Sequence, residues 1–502
     1  MIFLLACAPR VAEVGLPPEP GRVTILHTND LHAHFLPEPA DWIEGHPAIG
    51  GMERLDAEMD AVRDARPSGS VLTLDAGDEL TGTPLANLEV DGARGGAMNR
   101  FFRLLDYDAW AIGNHEFDKG VEPLGAYVTQ SPMETLSANV LDESGERPLF
   151  PSQQKSHVFE RSGVRIGVIG VTTDQLKGLM SPVEFAKLRL ETVEDSVREQ
   201  VAELRGEADI IVVLSHVGLE GDEALARYVK GIDVIVGGHS HTRMTTASHV
   251  GDTWIVQAGS YGRSLGVVDL VVEDGKVKDF HYDLRDLLPE TSPGPASKEV
   301  STQVASYQAE LETVFGQVVS EAPAALGRSY NHESALGRWI TDALRSAGNT
   351  DVGLYNGGGL RADIEAGTVT RGDLFNCFPF ENQVVVFDIL GKDLQAIVLR
   401  NVIAESDEKR GFLPMSGVTW SWRVRNGAPE LIDVRVGASP IDLDHTYTVA
   451  TTTFIVEQWE RHIGVAPKNV RGVGMTDLDA AVQHAEAGDM VDPGDLRARR
   501  EK

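Results

Sequence analysis

The chain has 502 residues, 76 Asp and Glu against 45 Lys and Arg, and a formal net charge of −31 at pH 7 with histidine neutral. That length exceeds what one hydrophobic core serves, so two domains are expected. The acidity, with no basic stripe, excludes nucleic-acid polymers and anionic membranes as chief partners; small phosphate esters stay compatible, because salt screens distant surface charge beyond roughly 8–10 Å.

Residues 1–22 read as a leader and tether. The start, MIFLLACAPR, carries Leu4-Leu5-Ala6-Cys7, which resembles a bacterial lipobox in which Cys7 becomes the lipidated first residue of the mature protein. The apolar stretch is short for a signal peptide and lacks a basic flank. The expectation is an extracytoplasmic lipoprotein of the periplasm or cell envelope, anchored through Cys7. No other segment has 18 uninterrupted apolar residues, so no membrane-spanning helix is expected. Cys7 and Cys377, the two cysteines, are not expected to pair.

Residues 23–290 carry five short apolar runs that each end in a metal-grade side chain. They are VTILHTND at Asp30, VLTLDAGD at Asp78, AWAIGNHEFD at Asn114, IIVVLSH at His216, and VIVGGHSH at His239 and His241. Runs this short and this rich in Val, Ile and Leu predict buried strands with both faces covered. Reactive groups in such sheets gather in the loops at the carboxyl ends, where the strand fixes the loop. A lone histidine beside an apolar strand is usually structural, but four clusters, each with glycine or a short linker, point to convergent donors. His27 and Thr28 fall within the first run and His34 and His46 in a Pro-rich loop, and Glu79 and Glu116 are expected to turn away from the ions.

These elements resemble the calcineurin-like metallophosphoesterases, and within them the 5′-nucleotidase family, over roughly residues 23 to 490. The resemblance implies an α/β fold: an αββα-sandwich metallophosphoesterase domain followed by a smaller α+β C-terminal substrate-binding domain. It implies two divalent metal ions, with Asp30, His32 and His241 on one, Asn114, His216 and His239 on the other, and Asp78 bridging. His115 with Asp118 would stabilise the transition state. Two dications bring four positive charges against two carboxylates, so the centre stays electropositive. Mixed nitrogen and oxygen donors suit Zn, Mn, Co or Fe better than Ca or Mg. Such a pair acidifies a shared water and clamps phosphoryl oxygens, so no Ser or Cys nucleophile is required.

Residues 291–326 form a seam. The Pro- and Ser-rich LLPETSPGPASKEV precedes a helical pattern through Val304, Tyr307, Leu311, Val314 and Phe315, read as a linker helix. Residues 327–502 open with NHESALGRWITDALRSAG, which places Leu336, Ile340, Ala343, Leu344 and Ala347 on one helical face, with Asn331 or Ser334 as N-cap. Strand signals follow at DVGLYNGGGLR, QVVVFDIL, GVTWSWRV and TYTVATTTFIV, with helices around Gly391–Val402 and Asp477–Ala487.

In Asn356-Gly-Gly-Gly-Leu-Arg361 the glycines permit close backbone approach and Arg361 offers a paired contact to phosphate. With Pro379-Phe380-Glu381-Asn382 it resembles the 5′-nucleotidase C-terminal domain. By that resemblance Asn356 and Arg361 contact the substrate, Phe380 and Phe454 wall an aromatic clamp, and Asn382 helps read the base. An aromatic–base stack is worth roughly 1–3 kcal/mol, which favours nucleotides over simple sugar phosphates. Two departures stand out. Thr453 to Trp459 replaces the family's Gly-Gly-Asp-Gly turn, and Tyr330 stands where the family tends to carry a further phosphate-binding arginine. Arg328 and Arg338 read as surface residues.

The expected activity is metal-dependent removal of phosphate from nucleotides, of the 5′-nucleotidase type. The alternatives are a 2′,3′-cyclic-nucleotide phosphodiesterase/3′-nucleotidase or a UDP-sugar pyrophosphohydrolase, and more remotely a non-catalytic nucleotide-binding protein.

Overall fold

The first apolar runs pair into the middle of a seven-stranded sheet. In the computed structural model, Arg22–Thr28 lies parallel to Val71–Asp75, which is followed by Ala109–Ala111, Glu134–Leu136 and Gln153–Gln154, all parallel. On its other side runs the antiparallel hairpin Ser264–Glu273 and Lys276–Asp286. The later runs build a six-stranded sheet around Val164–Thr172, Ile210–His216, Val234–Gly237 and Thr253–Val256, again parallel, with antiparallel strands at both edges. The structure describes residues 19–40, 42–404, 411–425, 427–488, 490–492, 494 and 496–501; the Leu-Leu-Ala-Cys7 element lies outside them.

Alternation within the strands explains the layers. Val23, Ile25, Leu72 and Leu74 meet Ile166, Val168, Val212 and Leu214 in the core between the two sheets. Leu26, Trp110 and Ile112 point outward, under Met52–Asp64, Gly96–Leu104, Val121–Gln130 and Lys298–Phe315. The second sheet is covered by Val193–Leu204 and Leu219–Tyr228. Helices outside, two sheets inside: this is the αββα sandwich, and it puts the five run ends at one rim.

The helix Lys298–Phe315 buries Val300, Val304, Tyr307 and Leu311 against the first domain. Val314 departs from the expected stripe. It is 54% exposed, because Phe315 carries the stripe onward and packs against both the N-terminal and the C-terminal cores.

The C-terminal half centres on a five-stranded sheet ordered Met415–Ser416, Val352–Leu354, Thr446–Thr452, Gln383–Leu390, Lys468–Thr476. Ala335–Gly348 and Asp477–Glu486 pack on one face and Gly391–Ala404 on the other. Ser334, not Asn331, caps the first of these helices, its Oγ accepting from Gly337 N at 3.1 Å. Arg338 is a second correction. It is buried at 7% exposure, and its guanidinium pairs with Asp492 and Glu333, so it ties the chain end to this helix.

Candidate dinuclear metal centre and substrate cleft

Two clusters of donors converge at the rim. The donor atoms of Asp30, His32 and His241 lie within 4.8 Å of one another, as do those of Asp78, His216 and His239. His241 Nε2 is 3.3 Å from Asp30 Oδ1 and 3.2 Å from His32 Nε2; His216 Nε2 is 3.0 Å from Asp78 Oδ2. Asp78 Oδ2 is also 3.9 Å from His32 Nε2, so this carboxylate reaches toward both clusters.

Two of the imidazoles are tied through their far nitrogens to backbone carbonyls. His32 Nδ1 donates to Thr81 O at 2.7 Å and His216 Nδ1 to Ala76 O at 2.7 Å. Each bond fixes the tautomer that leaves Nε2 bare. Burial holds His32 well below the ordinary histidine range, and burial together with the charge of His216 brings His239 down to about 4. His216 behaves otherwise. Burial alone would lower it, but the Asp78 carboxylate reverses the sign and raises it to about 10.

A dication suits the donor set on independent grounds. His216 Nε2 and Asn114 Oδ1 are buried without a hydrogen-bond partner among the described residues. His216 Nε2 approaches Asp78 Oδ2 to 3.0 Å, a spacing that suits two donors sharing one cation.

Glycines make the approach feasible. A Cβ on Gly77 would lie 2.6 Å from Ala111 O and 3.0 Å from His216 Nδ1, and one on Gly238 would lie 2.8 Å from Ala76 O. Asp30, His32, Asp78, His239 and His241 all have positive φ, between 49° and 72°. Non-glycine residues adopt that region rarely, and when they do so at one rim a functional constraint is the natural reading.

His115 and Asp118 stand beside the clusters. His115 Nδ1 is 2.7 Å from Asp118 Oδ2, and its backbone N–H donates to Asp78 Oδ1 at 2.8 Å. Burial disfavours the imidazolium, but the Asp118 and Asp78 carboxylates outweigh it and raise the pKa.

The C-terminal half supplies the opposite wall. Phe380 stacks on His115 with ring centroids 5.7 Å apart, and the Arg361 guanidinium lies 5.7 Å from the Phe380 ring. Arg361 has no carboxylate partner among the described residues, and its charge acts on both His32 and His115. Asn356 opens the glycine turn Gly357–Gly359, over which Tyr330 sits. The Asp477 backbone N–H donates to Asn382 O at 2.9 Å. Phe454 lies on the short helix Thr453–Glu457, its ring 5.2 Å from that of His462.

With this geometry in hand, residues 23–243 match the calcineurin-like phosphoesterase family and residues 314–463 the 5′-nucleotidase C-terminal domain. The chain belongs to the 5′-nucleotidase family. Its relatives include protein UshA of Yersinia enterocolitica, 28% identical over 95% of this chain and 93% of that protein. The trifunctional nucleotide phosphoesterase YfkN of Bacillus subtilis is 28% identical over 88% of this chain, which spans only 32% of that longer protein. The crystal structure of a 5′-nucleotidase precursor from Thermus thermophilus superposes with a TM-score of 0.81 at 29% identity, over 95% of this chain and 99% of that one. The 5′-nucleotidase-family chain is therefore a metallophosphoesterase, a hydrolase of phosphoric ester bonds that uses divalent metal.

Asn29 and Gln257 shape this site and escaped sequence reasoning, whereas Glu116, expected to turn away from the ions, gathers backbone N–H groups. Asn29 donates to Asp30 Oδ2 and Gly259 O, both at 2.6 Å, and accepts from Ala258 N at 2.8 Å. Gln257 Nε2 donates to Gly238 O at 2.7 Å while its Oε1 accepts from Ser240 Oγ at 2.9 Å. Glu116 accepts from the backbone N–H groups of Asp78, Glu79, Leu80 and Gly113. Asn29 and Glu116 sit inside the motifs themselves; Gln257 follows an apolar run and carries no such signal.

Proposed function

We propose that this hydrolase releases orthophosphate from nucleotides, with Asp30, His32 and His241 holding one ion, Asn114, His216 and His239 the other, and Asp78 shared. The observation that carries the reading is the convergence of two donor clusters, the His115–Asp118 pair and Arg361 over the Phe380 ring, all within one cleft. When bound, two such ions supply Lewis-acid charge and an acidified water for in-line attack. The imidazole-rich donors favour Zn, Mn, Co or Fe.

The chain's own groups do the rest. Asp118 fixes the Nδ1 proton of His115, which leaves Nε2 to face a phosphoryl or leaving oxygen and favours the charged ring. Arg361 neutralises a phosphoryl oxygen, with Asn356 at the mouth of the same turn. Phe380 presents a ring to the base and shields His115 from water. Asn382, engaged by Asp477, holds the Phe380 loop, and Phe454 is the second wall.

Purified protein supplied with Mn, Zn or Co and offered AMP beside an aryl phosphate tests the reading; turnover of neither would defeat it. The finer localisation we assign is extracytoplasmic, with a lipid on Cys7, supported by the Leu-Leu-Ala-Cys sequence. Fatty-acid labelling that persists in Cys7→Ser would overturn that assignment.

A further inference from the structure

Donors of both clusters hang on one short segment. Asp75 to Asp78 follow from the strand Val71–Asp75, and each carbonyl after Asp75 accepts a hydrogen bond that fixes a donor. Ala76 O accepts from His216 Nδ1 at 2.7 Å, Gly77 O from Asp30 N at 2.8 Å, and Asp78 O from His32 N at 2.9 Å. The Asp78 carboxylate itself faces both clusters. A shift of this segment would therefore move Asp30, His32, Asp78 and His216 together.

Such a segment needs a brace, because its backbone does not hold itself. Gly77 has φ 90° and Asp78 φ 57°. Glycine adopts that region freely, but many others as well, and Asp78 adopts it only at a cost. A Cβ on Gly77 would lie 2.6 Å from Ala111 O, so no stiffer residue can stand there.

The brace comes from Asp75, which is completely buried. Its Oδ1 accepts from Gly77 N at 2.8 Å and its Oδ2 from Thr28 Oγ1 at 2.5 Å. Thr28 is the register partner of Asp75 on the adjacent parallel strand, so the carboxylate clamps its own turn to the strand that delivers Asp30. The Thr28 hydroxyl gives its proton to the carboxylate, and Tyr107 OH, 2.7 Å away, therefore donates to Thr28. Tyr107 packs edge-on against Phe102 of the helix Gly96–Leu104. A chain of hydrogen bonds thus runs from the helical layer through the sheet to the turn.

Burial is costly for a carboxyl. It pushes that of Asp75 up to about 7, against the pull of the bonds from Thr28 and Gly77. Core packing alone gives no reason to bury such a group; the turn it fixes does.

We propose that Asp75 is a positioning residue of the dinuclear centre, and that through Gly77 and Thr28 it makes the two clusters take up their ions as one unit. The proposal rests on the reading of these clusters as metal donors.

The test is calorimetric titration of the chelator-treated full chain with Co, joined to the visible spectrum of the Co-loaded protein and to kcat and KM for AMP. Asp75→Ala removes both bonds. It should weaken uptake of both ions by about tenfold or more, the scale found for partners that orient a ligand, and change the Co spectrum. kcat should fall while KM stays within about twofold, because Arg361 and Phe380 are untouched. Asp75→Asn keeps an oxygen toward Gly77 N and turns its NH₂ toward Thr28 Oγ1, with Thr28 then donating to Tyr107. It should bring ion uptake back to within about threefold of native. Thr28→Val cuts only the strand-side bond and should fall between, which keeps the assignment testable if Asp75→Ala does not fold. A merely structural aspartate would lower the Tm of the variants and leave Co affinity and spectrum native. That result, loss of a single ion, or an Asn variant as impaired as the Ala one would overturn the proposal. A native chain that takes up no Co defeats the metal-centre reading and the proposal with it, whereas ions bound equally by native chain and variants defeat the proposal alone.

Discussion

Glu381 joins the two halves beside the site, and removing its charge isolates what closure contributes. Its Oε2 accepts from Lys119 Nζ at 3.1 Å, Arg94 at 2.9 Å and Asn87 Nδ2 at 3.0 Å, and Lys119 Nζ also donates to Phe380 O at 2.8 Å. Hydrogen bonds to charged groups contribute about 1.5–3 kcal/mol when shielded, and exposed ion pairs about 0.2–1 kcal/mol. The three charged side chains are 21–38% exposed, so screening places the whole cluster near 2 kcal/mol, about a thirtyfold change in a two-state population. Glu381→Gln keeps the length and removes the charge. If nucleotide is held only while Phe380 lies on His115, KM for AMP should rise by up to that factor. kcat should hold, an aryl phosphate without a base should respond less, and the salt dependence of KM should flatten. Steady-state kinetics at low and high salt measure all three. An unchanged KM with an unchanged salt response would refute the reasoning.

Four further outcomes are expected. Asp118→Asn should lower kcat for AMP about 10²- to 10³-fold with KM nearly constant, because the Nδ1 proton of His115 loses its carboxylate; a KM effect alone would contradict this. Asp78→Asn should reduce the content of both ions, read by elemental analysis, and chelation should lower the Tm of the native chain but much less that of the variant. Glu116→Gln places an NH₂ against backbone N–H groups on one side of the carboxylate, at about 1–3 kcal/mol per unmatched donor; denaturant unfolding and metal titration should both report the loss. Asp477 is buried and raised to about 7, burial outweighing its bonds from Tyr355 and Leu478. Its folded pKa lies above the ordinary carboxylate value, so its contribution is fully present below about pH 4 and is lost as pH rises to about 7. Asp477→Asn should flatten the stability profile across that window, by at most about 4 kcal/mol.

The five run ends were legible because a buried parallel strand leaves a short unbroken apolar signature, and Asp, Asn and His at its carboxyl end have no packing reason to be there. The helix Ala335–Gly348 was legible from its 3.6-residue period. Arg338 was misread, since an arginine on a helix is ordinarily a surface residue and its partner Asp492 lies more than 150 positions away. Val314 was misread because the period shows a stripe but not where the helix leaves its core. The contact of the Arg263 guanidinium with the Trp42 ring, at 4.8 Å, had no sequence signal either, as the two residues are more than two hundred positions apart.

Least legible is the backbone that aims the donors. Side-chain identity at Asp30, His32, Asp78, His239 and His241 says nothing about φ, yet all five lie in the left-handed region, at a cost on the order of 1–3 kcal/mol each. Such strain persists only where the surroundings over-determine it. Here they do: Asn29 grips Asp30, His239 N donates to both oxygens of Asp30, Gln257 holds the Gly238–Thr242 turn, and Glu116 gathers the N–H groups after Asp78. The strands set the rim, and these polar side chains set the angles at which it meets phosphate. Because these hydrogen bonds fix the donors' mutual placement within the fold itself, they meet the condition for electrostatic preorganisation of a phosphoryl-transfer site.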